Sequence, residues 1–502
     1  MRPFEIILIS VLMASILLAT IATRVGALPG SFLPRLAALC LLLAILAFAV
    51  HLVVEGAHWQ MFAGYAALLP AVILVCMVGR SSAATHWMLP VTAFLLIAIC
   101  CLCSYVVPMF RLPMPTGPYA VGTSILYMVD DSRMEDGSPA PGAKRELVVQ
   151  LWYPAVPGRE QFAPYRRRQE TTFESSYQAV LPTHSRMDAP VMRAAPPYPV
   201  LLFNPAWNGR RTQNTFLTEE LASHGYIVAA IDHTYNSQPV AFPDGRVVWA
   251  TPVPPIETMI DTTPDEVEQA GNHETDKEAA DDRFVLDQLA ELNRKQGSRW
   301  YGAMDTDNAG AFGHSLGGAV AVETWATDSR VRAAVNMDGW QFGTQAVRAV
   351  RAASESPGAP ANTYPLLYLY ESLDNSFNAP PSNLANGKTH WSATEVEAAV
   401  SAWDVVHVSK LLKRYGGQAL VLQGSIHPTF IDKPLTSPIS RLSGRSEIDT
   451  RRAHLIIRDY VVQFFDQALK GKPSPLLNGG ANTYPEMKAL VIPASSAQAR
   501  QP

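Results

Sequence analysis

Residues 111–502 contain no cysteine; all five (Cys40, Cys76, Cys100, Cys101 and Cys103) lie within the first 110 residues. The long C-terminal part therefore has no disulfide framework, no Cys-ligated metal and no thiol nucleophile, and it suits an oxidising exterior. Charge is also scarce, at 17% of residues. The balance is 40 Lys+Arg against 44 Asp+Glu, a net of 40 − 44 = −4, and no Lys/Arg block is long enough to grip a phosphate backbone. Nucleic acid is thus set aside as a partner. With 48% apolar residues the chain is not disordered, and no internal repeat is visible in its C-terminal part.

What charge there is avoids the N-terminus. Residues 1–110 hold only Arg2, Glu5, Arg24, Arg35, Glu55 and Arg80, a net of 4 − 2 = +2, which leaves −6 for the remainder. Four uncharged stretches, Ile6–Thr23, Leu36–Val54, Trp59–Gly79 and Trp87–Val107, are each near the ~20 residues that a helix needs to cross a bilayer. Charges and turn formers separate them. The pattern predicts a four-span helical membrane domain over 1–110, in a multi-pass inner-membrane protein. Intramembrane His51, Pro70 and Pro90 are read as kinks or local anchors rather than a transport path. Arg24, Arg35 and Arg80 lie in the first and third loops, against Arg2 and Arg111 on the other side. The positive-inside rule then places the C-terminal part outside the cytoplasm.

Residues 111–145 read as a Pro/Gly-rich connector and first strand region, and 146–490 as one catalytic α/β domain. ELVVQLWYPA, from Glu146, alternates like a strand. Pro197–Asn204 and Tyr226–Asp232 are short apolar runs of the kind buried on both faces of a parallel sheet, with a helix at Asn214–His224 between them. Residues 160–197 read as loop. The Pro-rich, acidic stretch at about 236–275 reads as a lid-like insertion, and Ala279–Asn293 as an amphipathic helix. Further strands are expected at Ala309–Gly313, Ala333–Met337, Pro365–Tyr370 and Gln418–Gln423. Helices are expected at Leu316–Ala326, Glu395–Tyr415 and Thr450–Lys470. Residues 491–502 read as a disordered tail.

One segment carries chemistry. Gly313–His314–Ser315–Leu316–Gly317 has the form G-x-S-x-G, between an apolar strand and an Ala/Val-rich helix, the setting of a nucleophile elbow. A hydroxyl nucleophile needs a base and the base an orienting acid, here in the chain order Ser, acid, His. Of the downstream histidines, His390 is in a polar loop and His407 within a helix. His427 follows a buried strand in GSIHPTF and is the preferred base. For the acid, Asp338 ends one strand, while Glu371 and Asp374 follow the next; position alone favours Asp338 only slightly. The two oxyanion donors expected are the backbone N–H groups of Leu316 and of Trp207, the latter in the loop after Val200–Phe203. The Trp207 indole would wall the acyl pocket.

In TGPYAVG, LWYPA, ELASHGYIVAAIDH, GHSLGGA, MDGW and GSIHPTF, in that order, the chain resembles the platelet-activating factor acetylhydrolase family, in its secreted and type II branch of α/β-hydrolases. The resemblance covers most of 115–470. It implies Ser315 as nucleophile, Asp338 as acid in preference to Glu371, and His427 as base. It further implies metal- and cofactor-independent hydrolysis of short or oxidised acyl chains from phospholipids. Two features depart from the family: the oxyanion loop reads FNPAWNG instead of a His-Gly-rich segment, and four spans precede the domain. The expected protein is a membrane-anchored serine esterase acting on an ester or phospholipid at the bilayer. A polyester, xenobiotic ester or dienelactone is the alternative substrate. A transporter or sensor with an inactive hydrolase-like domain is the alternative of another class.

Overall fold

The computed structural model describes residues 1–78, 85–251, 263–352, 365–372, 392–438, 447–478 and 483–490. The chain divides into two compact units. The first comprises Met1–Arg111 with Pro164–Pro182 and Leu435–Ser443; the second holds the rest.

In the first unit α1 (Pro3–Arg24) and α2 (Phe32–Val54) are single helices. The third apolar stretch is broken into a 3₁₀ turn (Trp59–Met61), α3 (Phe62–Ala66) and α4 (Leu68–Met77), and α5 runs Thr85–Val106. Four segments are thus long and apolar enough to cross a membrane. Small side chains make the helix contacts: Ala19, Ala22, Ala37, Ala44 and Ala47 are buried, and the Ser15 hydroxyl donates to the Ala37 carbonyl at 2.8 Å. Leu42, Leu46, Val53, Leu69 and Leu95 are exposed on the outside of the helices. His51 is locally tied, with Nδ1 2.9 Å from Glu55 and Nε2 2.5 Å from the Tyr65 hydroxyl.

The second unit is built on an eleven-stranded sheet. Its strands are β1 (Ala120–Met134), β2 (Lys144–Ala155), β3 (Phe162–Pro164), β4 (Pro182–Met187), β5 (Tyr198–Asn204) and β6 (Ile227–Asp232). After the two-residue strands β7 (Val240–Ala241) and β8 (Val247–Val248), which pair apart, come β9 (Met304–His314), β10 (Val331–Met337), β11 (Leu366–Glu371), β12 (Gln418–Leu422) and β13 (Met487–Ala489). The order is β13-β12-β11-β10-β9-β5-β6-β2-β1-β4-β3. The block from β12 to β6 is parallel. β5 and β6, and the second halves of β9 and β10, are buried because helices cover both faces. The helices are α6 (Thr215–Ser223), α7 (Pro264–Arg294), α8 (Leu316–Thr327), α9 (Thr344–Ala352), α10 (Ala393–Tyr415) and α11 (Thr450–Lys470).

This topology locates the site. From β5 the chain steps to β6 on one side, then returns through α7 to β9 on the other and continues outward to β12. The connections diverge at the C-terminal ends of β5 and β9, opening the crevice in which α/β enzymes bind ligands.

The first strand region expected within 111–145 is β1, a 15-residue strand whose pairing with β2 completes the antiparallel edge. Two segments differ from the sequence expectation. The loop 160–197 contributes β3 and β4 to that edge. The end of the expected insertion belongs to α7, one 31-residue helix opened by a capping box between Thr263 and Glu266. The middle of that insertion (252–262) and the tail 491–502 lie outside the described residues.

Charge is also buried under this sheet. Arg145 donates to Asp281 from Nε (3.0 Å) and Nη2 (2.5 Å), and to Glu135 from Nη1 (2.5 Å), all three groups being buried. Removing Asp281 leaves Arg145 with Glu135 alone and takes the carboxylate from His233 Nδ1, both in a dry environment. Asp281→Ala is therefore expected to cost about 3–5 kcal/mol, seen as a lower thermal midpoint of the detergent-solubilised chain. An unchanged midpoint would show that water reaches Arg145.

Candidate active site

The nucleophile position is set by β9, α8 and the turn between them. Ser315 stands at the N-cap of α8 with φ 57° and ψ −127°, a strained conformation for a residue with a side chain. Its amide donates to the Met337 carbonyl at 2.9 Å, so the neighbouring strand β10 holds the strain in place. The flanking glycines allow this. A Cβ on Gly313 would stand 2.1 Å from the Gly317 carbonyl oxygen, and one on Gly317 2.1 Å from that of Asn204. Leu316 opens α8, so its N–H is among the helix's unpaired donors, and the positive end of the helix dipole lies beside the hydroxyl.

The candidate acid stands at the end of β10. Asp338 has φ 59°, and its turn is closed by Asn336, which accepts from the Gly339 amide (2.9 Å) and donates to the Gly339 carbonyl (3.0 Å). Asp338 Oδ1 accepts the Glu371 N–H at 2.8 Å. Its Oδ2 is 2.6 Å from His427 Nδ1. The two turns interlock, because a Cβ on Gly339 would lie 1.9 Å from the Ser315 carbonyl oxygen.

His427 begins a short 3₁₀ turn after β12. The ring of His314, next to Ser315, lies against the His427 ring at 4.4 Å between centroids, and its Nε2 donates to the His427 carbonyl at 3.0 Å. Burial holds His314 well below the usual histidine pKa, so it is neutral. Desolvation opposes a charge on His427. The hydrogen bond to Asp338 and its negative charge, followed by Glu371, outweigh it and push His427 above its ordinary value. Among the described residues no hydrogen bond joins the Ser315 hydroxyl to the imidazole. They are related through the interlocked turns and the His314 contact, an arrangement that often tightens only around substrate.

The second expected donor, Trp207, lies in the loop after β5. Gly209 donates to the Ala206 carbonyl at 2.6 Å, with Asn208 at φ 55° between them. This loop is seated on the elbow: a Cβ on Gly317 would also meet the Pro205 carbonyl at 2.5 Å. The Trp207 indole packs with Trp340 and Trp403 around a buried cluster that includes Leu316, Val320 and Phe342.

The structure therefore brings Ser315, Leu316, Asp338, His427 and the Trp207 loop to one edge of the sheet. Glu371 does not take the acid position; its backbone serves Asp338. His407 is turned away within α10, with Nδ1 3.0 Å from the Trp403 carbonyl. Asp374 and His390 lie outside the described residues. Sequence reasoning missed His314, and it missed His233 and Asp282 behind the loop after β5; Asn204 it read only as the start of that loop. Only His314 carried a signal, its place inside the G-x-S-x-G pattern.

A parallel sheet with a strained serine turn and a His–Asp pair at its carboxyl edge defines an α/β-hydrolase, and comparisons with known proteins agree. The family model "Platelet-activating factor acetylhydrolase, isoform II" matches residues 106–243 and 295–474. A protein of Arthroderma benhamiae named a probable 1-alkyl-2-acetylglycerophosphocholine esterase is 24% identical over 414 residues, 76% of this chain and 94% of its own. The platelet-activating factor acetylhydrolase of Cavia porcellus is 26% identical over 263 residues, 46% of this chain and 56% of its own. A ferulic acid esterase from Streptomyces cinnamoneus shares the fold with a TM-score of 0.55 and 30% identity, covering 76% of this chain and 99% of that one. The chain is a carboxylic ester hydrolase. It belongs to the platelet-activating factor acetylhydrolase family.

Two predictions follow from the geometry. Gly317→Ala forces the Asn204–Pro205 backbone away from the elbow and is expected to lower kcat at least about 100-fold with the fold retained; wild-type turnover would contradict the contact. Glu371→Gln removes one of the charges that raise His427. The base is active when neutral, so the acid limb of the pH–kcat/KM profile should move to lower pH. A limb that stays put or moves up would contradict that assignment.

Proposed function

We propose that the chain is a membrane-anchored serine esterase that releases short acyl groups through a Ser315–His427–Asp338 triad. Ser315 Oγ attacks the ester carbonyl carbon as its proton passes to His427 Nε2. Asp338 holds the Nδ1 proton and offsets the imidazolium charge. The Leu316 and Trp207 N–H groups receive the developing oxyanion. His427 returns the proton to the leaving alcohol, and water repeats the sequence on the acyl-enzyme. The observation that carries this reading is the 2.6 Å pairing of His427 with Asp338 beside a strained serine turn.

The preference for short acyl chains rests on the relatives' names, two of them platelet-activating factor acetylhydrolase or 1-alkyl-2-acetylglycerophosphocholine esterase. A second reading, a xenobiotic or polyester ester with an aromatic acyl group, is favoured by the wall of Trp207, Trp340 and Trp403 and by the ferulic acid esterase likeness. A panel from p-nitrophenyl acetate through long-chain esters, short-chain phosphatidylcholines and methyl ferulate separates the two. The first reading expects acetyl esters and the short-chain lipid to give the highest kcat/KM. Exclusive turnover of the aromatic ester would reverse the order. Asp338→Asn is expected to lower kcat by about 10⁴, and a loss under tenfold would remove Asp338 from the triad.

The four apolar segments support a membrane anchor, and the arginines of the first and third loops favour an inner-membrane protein with the catalytic unit on the outer side. Such tethering raises the effective concentration of the site at a lipid surface. Because residues 111–502 lack cysteine, Asp244→Cys supplies a clean probe at an exposed position. A membrane-impermeant maleimide should label it in intact spheroplasts. Labelling only after lysis would place the unit in the cytoplasm.

A further inference from the structure

The two oxyanion donors belong to different elements, so their spacing depends on what joins β5 to α8. Backbone contact at Gly317 is one link. The second is a side-chain bridge from α7. Asn204, the last residue of β5, donates from Nδ2 to Asp282 Oδ2 at 2.8 Å. Thr324, in α8, donates from Oγ1 to the same oxygen at 2.7 Å. All three side chains are fully buried, so no water competes for the bonds.

The orientation of the Asn204 amide is also fixed. Its Oδ1 lies 3.0 Å from His233 Nε2, while His233 Nδ1 lies 2.9 Å from Asp281. An amide oxygen and a carboxylate both need a proton, so His233 donates from both nitrogens and is a buried cation. Glu278, at 3.5 Å, stands on the same ring. Turning the amide over would set its oxygen against Asp282 and its N–H against His233. Asn204 is therefore locked between a cation on one side and an anion on the other. The segment 244–294, which carries Asp282, lies outside the residues that the family model matches.

We propose that Asp282 is a positioning residue that clamps the oxyanion strand to the nucleophile helix, and so fixes the spacing of the Trp207 and Leu316 N–H donors. It touches no reacting atom and acts through Asn204 and Thr324. The inference rests on the oxyanion assignment made above.

The test uses the full chain in detergent, with kcat and KM for p-nitrophenyl acetate and a thermal midpoint for each variant. Thr324→Val removes one arm of the clamp without changing shape, and Asn204→Leu removes the other. Each folded variant should lose about 10-fold or more in kcat, with KM within about 2-fold. Thr324→Ser, which restores the hydroxyl, should recover most of that loss. Because both arms end on one oxygen, the double variant should lose about as much as the worse single one. Turnover within about 2-fold of wild type, a loss carried by KM, no recovery with serine, or losses that multiply in the double variant would each overturn the clamp. Where Asn204→Leu does not fold, the valine–serine pair at 324 decides alone. Hydrolysis that survives Ser315→Ala would instead reject the underlying catalytic reading.

Discussion

Two contacts between a carbonyl and a glycine hold the candidate site together. The Asn204 carbonyl rests against Gly317, and the Ser315 carbonyl rests against Gly339. Neither approach is possible if the glycine carries a side chain. The first seats the loop after β5 on the elbow; the second joins the elbow to the turn that bears Asp338. Three segments far apart in sequence thus share one backbone scaffold, and the strain at Ser315 and Asp338 is held by the strands around them.

Beneath that scaffold the polar groups are buried and almost fully paired. Arg145, Asp281, His233, Asn204, Asp282 and Thr324 form one connected set that runs from the antiparallel edge through α7 to α8. Burying such a set contributes little net stability over an apolar core of equal volume. Its effect is specificity of arrangement: each bond fixes a neighbour's orientation, and the chain of bonds joins the end of β5 to α8.

The sequence revealed much of this, for identifiable reasons. The strands β5 and β6, and the second halves of β9 and β10, read as strands because their small or apolar runs are covered on both faces, and the serine turn shows its glycines directly. Asp338 and His427 stand at strand ends, where an ionisable residue after an apolar run is conspicuous. A strand was expected somewhere in 111–145, but the bounds and length of β1 were hidden by its mixed, half-exposed composition and by the Pro/Gly-rich lead before it. The first half of α7 was hidden because Pro264 and its acidic neighbours resemble a loop, although proline and acid suit the first turn of a helix. The Asn204–Asp282–Thr324 clamp had no signature at all, since it joins three elements through contacts that only the packed fold creates.

The most direct test of the central claim is to find which atom acts as the nucleophile, by the site of its phosphonyl adduct. The full chain, inactivated with a serine-directed fluorophosphonate and digested, should carry one adduct, on the peptide containing Ser315. Its appearance should track the loss of esterase activity one to one. An adduct on another residue, or activity that persists with Ser315 fully modified, would contradict the account.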